Sequence, residues 1–520
     1  MKIKNKTKSN EIGLISGIWM VFSLIAGISF TLMFSDLYNP SDPSSFIGYH
    51  IIWIILLVSI FLFSSAWAYI KCSRIHNSAN GGGGQYVRTA FGSFWGMFFN
   101  FVSLLCISIV VVIMVVSSLR MSLESIAKPV FGNWTKLMLD VFGLLACAIG
   151  ATIAVLGIGK FKSVSTMIAY TTWAITLLIL IFGIVLIFLP SDQKVPEELP
   201  TEVHSSITLK SFVNVFMLVM FSFTGFETFI STGSAIKNRE KNMPIMILVG
   251  LTLTTLFFIA FSSIIIASVV NDFAGNPNAN MFGKFNSVFI QKGGWFIVVA
   301  CTFLNRFNTM TQLGFYGSNI LEPLVKEGYI SKEVFSSKEM KNNVNKKLIL
   351  TFFILNIIFA TIFLLLPDLI EGISGEPSLI GYGTLASVTS LIFAFCYILV
   401  ILSAIKFGFK KQLKVNIFEY IIWSITIVVF ASIGIYTIVE MFIDFANGIK
   451  TNDLQAWLSP LIQILFIIMT IVISLILFFV VKKKIMKNMS EQDLKEMEEY
   501  QSITFEILED PKLRKTENKA

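Results

Sequence analysis

Residues 221–227 read FSFTGFE and sit near the middle of an apolar run that extends from about Ser211 to Ala235. A helix that only had to cross a bilayer gains nothing from a glycine, two hydroxyls and a carboxylate at that depth. Glycine costs a helix interior about 1 kcal/mol. An ionisable side chain at membrane depth is expensive and by default marks function. The stretch predicts an interrupted membrane helix, in which Gly225 lets the chain leave helical geometry and Glu227 faces protein or water rather than lipid.

The surrounding chain supports a membrane setting. Of 520 residues, 55% are hydrophobic and 14% charged, with a mean hydropathy of +0.76. An ordinary soluble domain carries about 25% charged residues, so the class is integral membrane protein, all α. About twelve apolar spans of crossing length follow one another, centred near residues 24, 58, 106, 147, 178, 222, 257, 304, 357, 392, 429 and 470. The expected organisation is a cytoplasmic N-terminal tail (1–11), five spans (12–190), an external connection (191–210), five more spans (211–410), two further spans (411–481) and a cytoplasmic tail (482–520). That tail reads as a helix followed by a disordered end. No soluble domain is visible, and the first span lacks a small-residue cleavage site, so it reads as retained.

Lysine and arginine set the orientation. With the N-terminus inside, the cytoplasmic connections and near tails hold 26 of them and the external connections 8. The +8 net charge therefore reads as topology, with both termini cytoplasmic and no nucleic-acid partner. Cys72, Cys106, Cys147, Cys301 and Cys396 all fall in or near apolar segments without ligand spacing and read as reduced packing residues. His50, His76 and His204 form no cluster, so neither a metal nor a cofactor is expected.

A second irregular stretch, FSLIAGISF, covers 22–30. Gly27 and Ser29 stand near the centre of the first span as Gly225 stands in the sixth. In two five-helix repeats these positions correspond, and paired interruptions are the sequence mark of discontinuous helices around a midplane site. Small-residue helix packing accounts for the first-span glycine equally well. The run GGGG at 81–84 lacks the Gly-Lys-Ser/Thr continuation of a phosphate loop and reads as a flexible turn.

Residues 81–92, GGGGQYVRTAFG, resemble the Gly-Gly-x-Tyr-x-Tyr-Val-Arg-x-Ala-Phe-Gly pattern of the amino acid–polyamine–organocation transporter superfamily, with Gly84 in place of the first aromatic. Residues 236–247, IKNREKNMPIMI, are similar to the superfamily's stretch after the sixth helix through Lys237, Asn238, Glu240, Asn242 and Pro244. SNILEPLVKEGYIS (318–331) resembles its segment at the end of helix 8. The chain departs from the family pattern in Gly27-Ile28-Ser29 for Gly-Ser-Gly, in Ala235 for Glu, and in the absence of a helix 5 lysine from TTWAITLL (171–178).

The resemblance implies a leucine-transporter-type fold, a 5+5 inverted repeat with helices 1 and 6 discontinuous and two peripheral helices. It implies a secondary transporter that moves an amino acid or related amine across the plasma membrane by proton symport or exchange, as a monomer or homodimer among membrane lipids. The N–H groups of Gly27, Ile28 and Ser29 would meet the substrate carboxylate. Carbonyls of Phe221, Ser222, Phe223 and Thr224 would take the ammonium, with Gly225 allowing the unwinding. Phe221 would be an aromatic gate or a packing residue, and Glu227 a proton carrier or a structural acceptor. Arg306, at the edge of a polar arc made by Thr302, Asn305, Asn308, Thr309, Gln312 and Tyr316, would replace the cation site of sodium-coupled relatives, pair with Glu227, or snorkel. A nutrient sensor would need a signalling domain or long tail. A membrane-bound enzyme would need a catalytic cluster that the sequence does not offer, so no enzyme is expected.

Overall fold

The computed structural model describes residues 11–29, 47–75, 81–190, 193–194, 207–232, 235–269, 277–331, 345–375, 382–451 and 454–509. The helices run α1 (Leu14–Ser29), α2 (Ile51–Ser73), a short α3 (Gly83–Phe91), α4 (Ser93–Phe131), α5 (Thr135–Val155), α6 (Ile158–Phe188), α7 (Leu209–Ser222), α8 (Phe226–Ile230), α9 (Arg239–Val269), a short α10 (Pro277–Gly283), α11 (Val288–Lys326), α12 (Lys346–Ser374), α13 (Tyr382–Phe409), α14 (Ile417–Thr451), α15 (Ala456–Lys487) and α16 (Glu491–Glu509). Among the described residues the β contacts are isolated bridges, Ile12 with Ile236 and Lys194 with Phe285.

Ten segments among the described residues are long and apolar enough to cross a membrane. One of them, Ser93–Val155, contains both α4 and α5, joined by a single 3-10 turn. α7 and α8 together make one crossing, Leu209–Ile230, and α1 adds a shorter apolar helix. The total is the twelve spans that hydropathy predicts.

Pattern decides position. α4 is apolar on every side through SLLCISIVVVIMVV, and Val102–Ser118 is buried throughout; a helix without a polar face belongs in the interior. α11 is 39 residues long, about 58 Å at 1.5 Å per residue, more than a hydrocarbon core of about 30 Å requires. Its polar arc turns inward, with Thr302, Asn305, Asn308, Thr309, Gln312 and Tyr316 all buried, while Phe303, Leu304 and Phe307 are partly exposed on the other side. α14 shows Ile421, Ile425, Val428 and Ile435 on its outer face, the surface expected against lipid.

Ion pairs tie the two ends of the bundle. At the end that carries the basic connections, Arg88 on α3 and Glu327 just past α11 pair at 2.9 Å in a buried position. Burial pushes the Glu327 carboxyl up, against the pull of Arg88. The α16 helix packs over the same place. The Gln85 amide donates to the Tyr500 hydroxyl at 2.5 Å, the Arg88 guanidinium lies 5.5 Å from the Tyr500 ring, and Met497 is buried beside Gly328. The expected tail helix is thus docked onto the bundle; residues 510–520, where a disordered end was expected, lie outside the described residues. At the opposite end Arg120 bonds Asp140 at 3.0 Å and Asp368 at 3.2 Å, which joins α4, α5 and α12. The five cysteines are free and buried, as their apolar surroundings predict.

Candidate functional site

The sixth crossing breaks where FSFTGFE predicts. α7 starts with a capping box between Thr208 and Ser211 and runs to Ser222. Phe223 and Thr224 close it with N–H bonds to the Met220 and Phe221 carbonyls. Gly225 then takes φ +125°, a conformation that side chains with a Cβ rarely adopt, and α8 restarts at Phe226. The hydroxyls of the stretch serve the break: Thr224 Oγ1 donates to the Phe221 carbonyl at 2.7 Å and Thr228 Oγ1 to the Gly225 carbonyl at 2.6 Å. The Phe221 carbonyl therefore receives both Thr224 donors.

α1 passes directly beside this break. A Cβ on Gly225 would stand 3.1 Å from Leu24 Cγ and 3.8 Å from Ile25 Cγ1. Three residues later, a Cβ on Gly27 would fall on the Thr309 hydroxyl and 3.5 Å from the Asn305 carbonyl. α1 is wedged at residues 24–27 between the Gly225 break and the polar arc of α11. The seam continues through Ser23, whose hydroxyl accepts from Gln312 Nε2 at 3.0 Å and from Asn308 Nδ2 at 3.3 Å; Gln312 also donates to Ser165 on α6 at 2.9 Å. Thr302 Oγ1, Thr309 Oγ1, Asn308 Oδ1 and Gln312 Oε1 are buried along it without a hydrogen-bond partner among the described residues.

Arg306 belongs to this wall of α11 and is fully buried, so it is not a side chain snorkelling to water. Neighbouring Cys301 meets Thr176 Oγ1 at 3.5 Å and the Thr172 carbonyl at 3.7 Å, in the α6 stretch without a lysine. α1 is helical through Gly27, Ile28 and Ser29, so no break appears there; the side chains of Ile28 and Ser29 and all of 30–46 lie outside the described residues. Phe221, Ser222, Phe223 and Thr224 are all buried.

Glu227 lies just past the break. Its Oε1 accepts from the Gly225 N–H at 2.9 Å and its Oε2 from the Tyr397 hydroxyl of α13 at 3.2 Å. The carboxylate thus holds the break to α13. It also lines a small cavity in which Tyr69, Asn100, Ser103, Thr228 and Ser231 stand among the apolar side chains of Phe99, Ile107, Ile320 and Phe393. The floor is the glycine run, which is buried and packed rather than a flexible turn. The Gly81 N–H donates to the Ser231 carbonyl at 3.2 Å, and a Cβ on Gly84 would fall on the Asn100 amide. Tyr397, Tyr69 and Asn100 escaped the sequence reading. Each is a polar side chain in an apolar span, and a buried tyrosine hydroxyl calls for a partner, but one such residue per span names no destination.

The amino acid permease profile matches residues 12–470. A search of curated protein sequences finds no match. Among solved structures the chain is similar to a manganese transporter of Eremococcus coleocola. The histidine-to-alanine mutant of that protein gives a TM-score of 0.52 at 12% identity, over 90% of this chain and 95% of that one. Its complex with an aromatic bis-isothiourea compound gives 0.51 at 10% identity, with the same coverage. Identities this low speak for architecture alone, and that architecture is the leucine-transporter-type fold.

Proposed function

Because this chain belongs to the amino acid permease family, and is a multi-pass membrane transporter rather than an enzyme, we propose that it carries an amino acid or related amine across the plasma membrane by alternating access, with uptake coupled to protons. The observation that carries this reading is the placement of α1 residues 24–27 between the Gly225 break and the α11 arc. A zwitterion needs N–H groups for its carboxylate and carbonyls for its ammonium, which interrupted helices supply; here the interrupted α7–α8 crossing lies against the end of α1. The N–H groups of Gly27, Ile28 and Ser29, which close the last turn of α1 as it stands, take the carboxylate once that turn unwinds. With the Phe221 carbonyl engaged, those of Ser222, Phe223 and Thr224 are the ones offered to the ammonium, and the Phe221 ring closes over the ligand. Glu227 carries the proton. Arg306 supplies a permanent positive charge where a sodium-coupled relative binds its ion. The two five-helix sets, 12–190 and 211–410, move against each other, with both termini cytoplasmic. Manganese belongs to the structural neighbour and is not carried over to this chain.

Uptake of a panel of labelled amino acids and amines into proteoliposomes tests this. Accumulation of at least one of them under an inward proton gradient, without sodium, is expected. Failure of every member of the panel, or a strict need for sodium, overturns the reading.

A further inference from the structure

Beside Glu227 two buried polar atoms have no hydrogen-bond partner among the described residues, the Tyr69 hydroxyl and Asn100 Oδ1. They line the same cavity as the carboxylate, from α2 and α4. Leaving a buried polar atom unpaired costs about 1–3 kcal/mol, and native interiors avoid it with a partner or an ordered water. The cavity offers about 10 Å3 to a water molecule, about the least that one ordered water needs. It also offers that water the three polar groups such sites usually have.

We propose that this cavity is a water-binding site, in which one ordered water bridges the Glu227 carboxylate, Asn100 and the Tyr69 hydroxyl and takes the proton that Glu227 exchanges with the end of the bundle bearing residues 81–84. The proposal rests on the reading of Glu227 as the proton carrier. The water accepts a proton from the carboxyl as it passes one of its own onward, so no other bond changes. Position supports the direction. The Gly225 N–H and the Tyr397 hydroxyl hold Glu227 from the break and from α13, while Ser231 and Gly81 line the same cavity as the carboxylate. The titratable groups that act on Glu227 from the surrounding helices are Tyr69, Tyr397, Cys106 and Cys396, all neutral at pH 7 by their ordinary values. None of them supplies a competing charge, which leaves the water as the mobile partner.

The test uses the full chain in proteoliposomes containing a trapped pH dye, with a mixture of amino acids as the probe. In Asn100→Leu, amino-acid-driven proton influx is expected to fall about tenfold, the effect of roughly 1.4 kcal/mol on a barrier. Exchange of labelled for unlabelled amino acid without a pH gradient stays within about twofold of wild type on the same scale. Tyr69→Phe, which removes one hydroxyl, moves influx in the same direction and decides the matter if Asn100→Leu fails to fold. Unchanged influx in folded Asn100→Leu, or in Tyr69→Phe where Asn100→Leu does not fold, overturns the water site. Glu227→Gln is measured in parallel. If it keeps proton-driven accumulation, the reading of Glu227 itself is wrong; if it loses accumulation while the other two variants do not, only the water site falls.

Discussion

Gly225 combines two constraints that a single substitution breaks together. Its φ of +125° is strained for any side chain, and a Cβ there already stands 3.1 Å from Leu24. Holding a non-glycine residue in such a conformation costs on the order of 1–3 kcal/mol, less than the usual 5–15 kcal/mol of native stability. Gly225→Leu is therefore expected to reach the membrane folded and to lose substrate binding, because relieving the strain moves the break away from α1. The measurement is the thermal shift that a transported amino acid produces in wild type; a mutant that keeps the shift contradicts the assignment of this break to the binding site. The sequence announced this residue plainly, since a glycine with a glutamate two residues on inside an apolar span is the pattern of an interrupted helix. It was silent on Tyr397, because which tyrosine meets Glu227 depends on how α13 is rotated.

The α11 helix carries the prediction that separates charge from packing. Arg306 is fully buried on a helix whose polar arc faces α1 and α6. If its charge stands in for a bound cation, Arg306→Ala loses transport by more than about tenfold, while Arg306→Lys keeps a measurable share, since it preserves charge without the fork. Wild-type uptake is then indifferent to sodium. Sodium-stimulated uptake in wild type, or an active Arg306→Ala, removes the assignment. The arc itself was legible from a helical wheel over 301–317, because a period of 3.6 survives in any environment. What lay beyond reach was the partner helix: no pattern in α1 states that Gly27 meets Thr309, and close approach is a property of two backbones rather than one sequence.

The whole molecule is held at its basic end by a part that composition describes only as a charged tail. α16 places Tyr500 against Gln85, Arg88 and Lys326, and buries Met497. A cation–π contact is worth about 0.5–2 kcal/mol and a neutral hydrogen bond about 1. Tyr500→Ala is expected to loosen the helix, so that limited proteolysis within 482–509 accelerates about tenfold or more, while the crossings stay intact. Cleavage at the wild-type rate means that the docking is held elsewhere. The same experiment on sealed vesicles reads the orientation: with the tail cytoplasmic, protease reaches it only in inside-out vesicles. The crossing count was readable from hydropathy because the bilayer imposes it; the orientation that the basic residues imply is what the vesicle experiment decides. The docking of the tail follows from one aromatic among charges, which no periodicity marks.

The contact of Gly84 with Asn100 imposes an order on how this region can change. The Asn100 amide occupies the space that any side chain at position 84 would need. Adding one methyl group at 84 is expected to destabilise the wild type by about 1–3 kcal/mol through overpacking. With Asn100 already reduced to alanine, the same methyl costs little, and the double-mutant cycle shows a coupling of comparable size. A path from this chain to one with an aromatic at 84 therefore runs through Asn100 first. A graft of the 81–92 segment from such a chain fails unless position 100 travels with it.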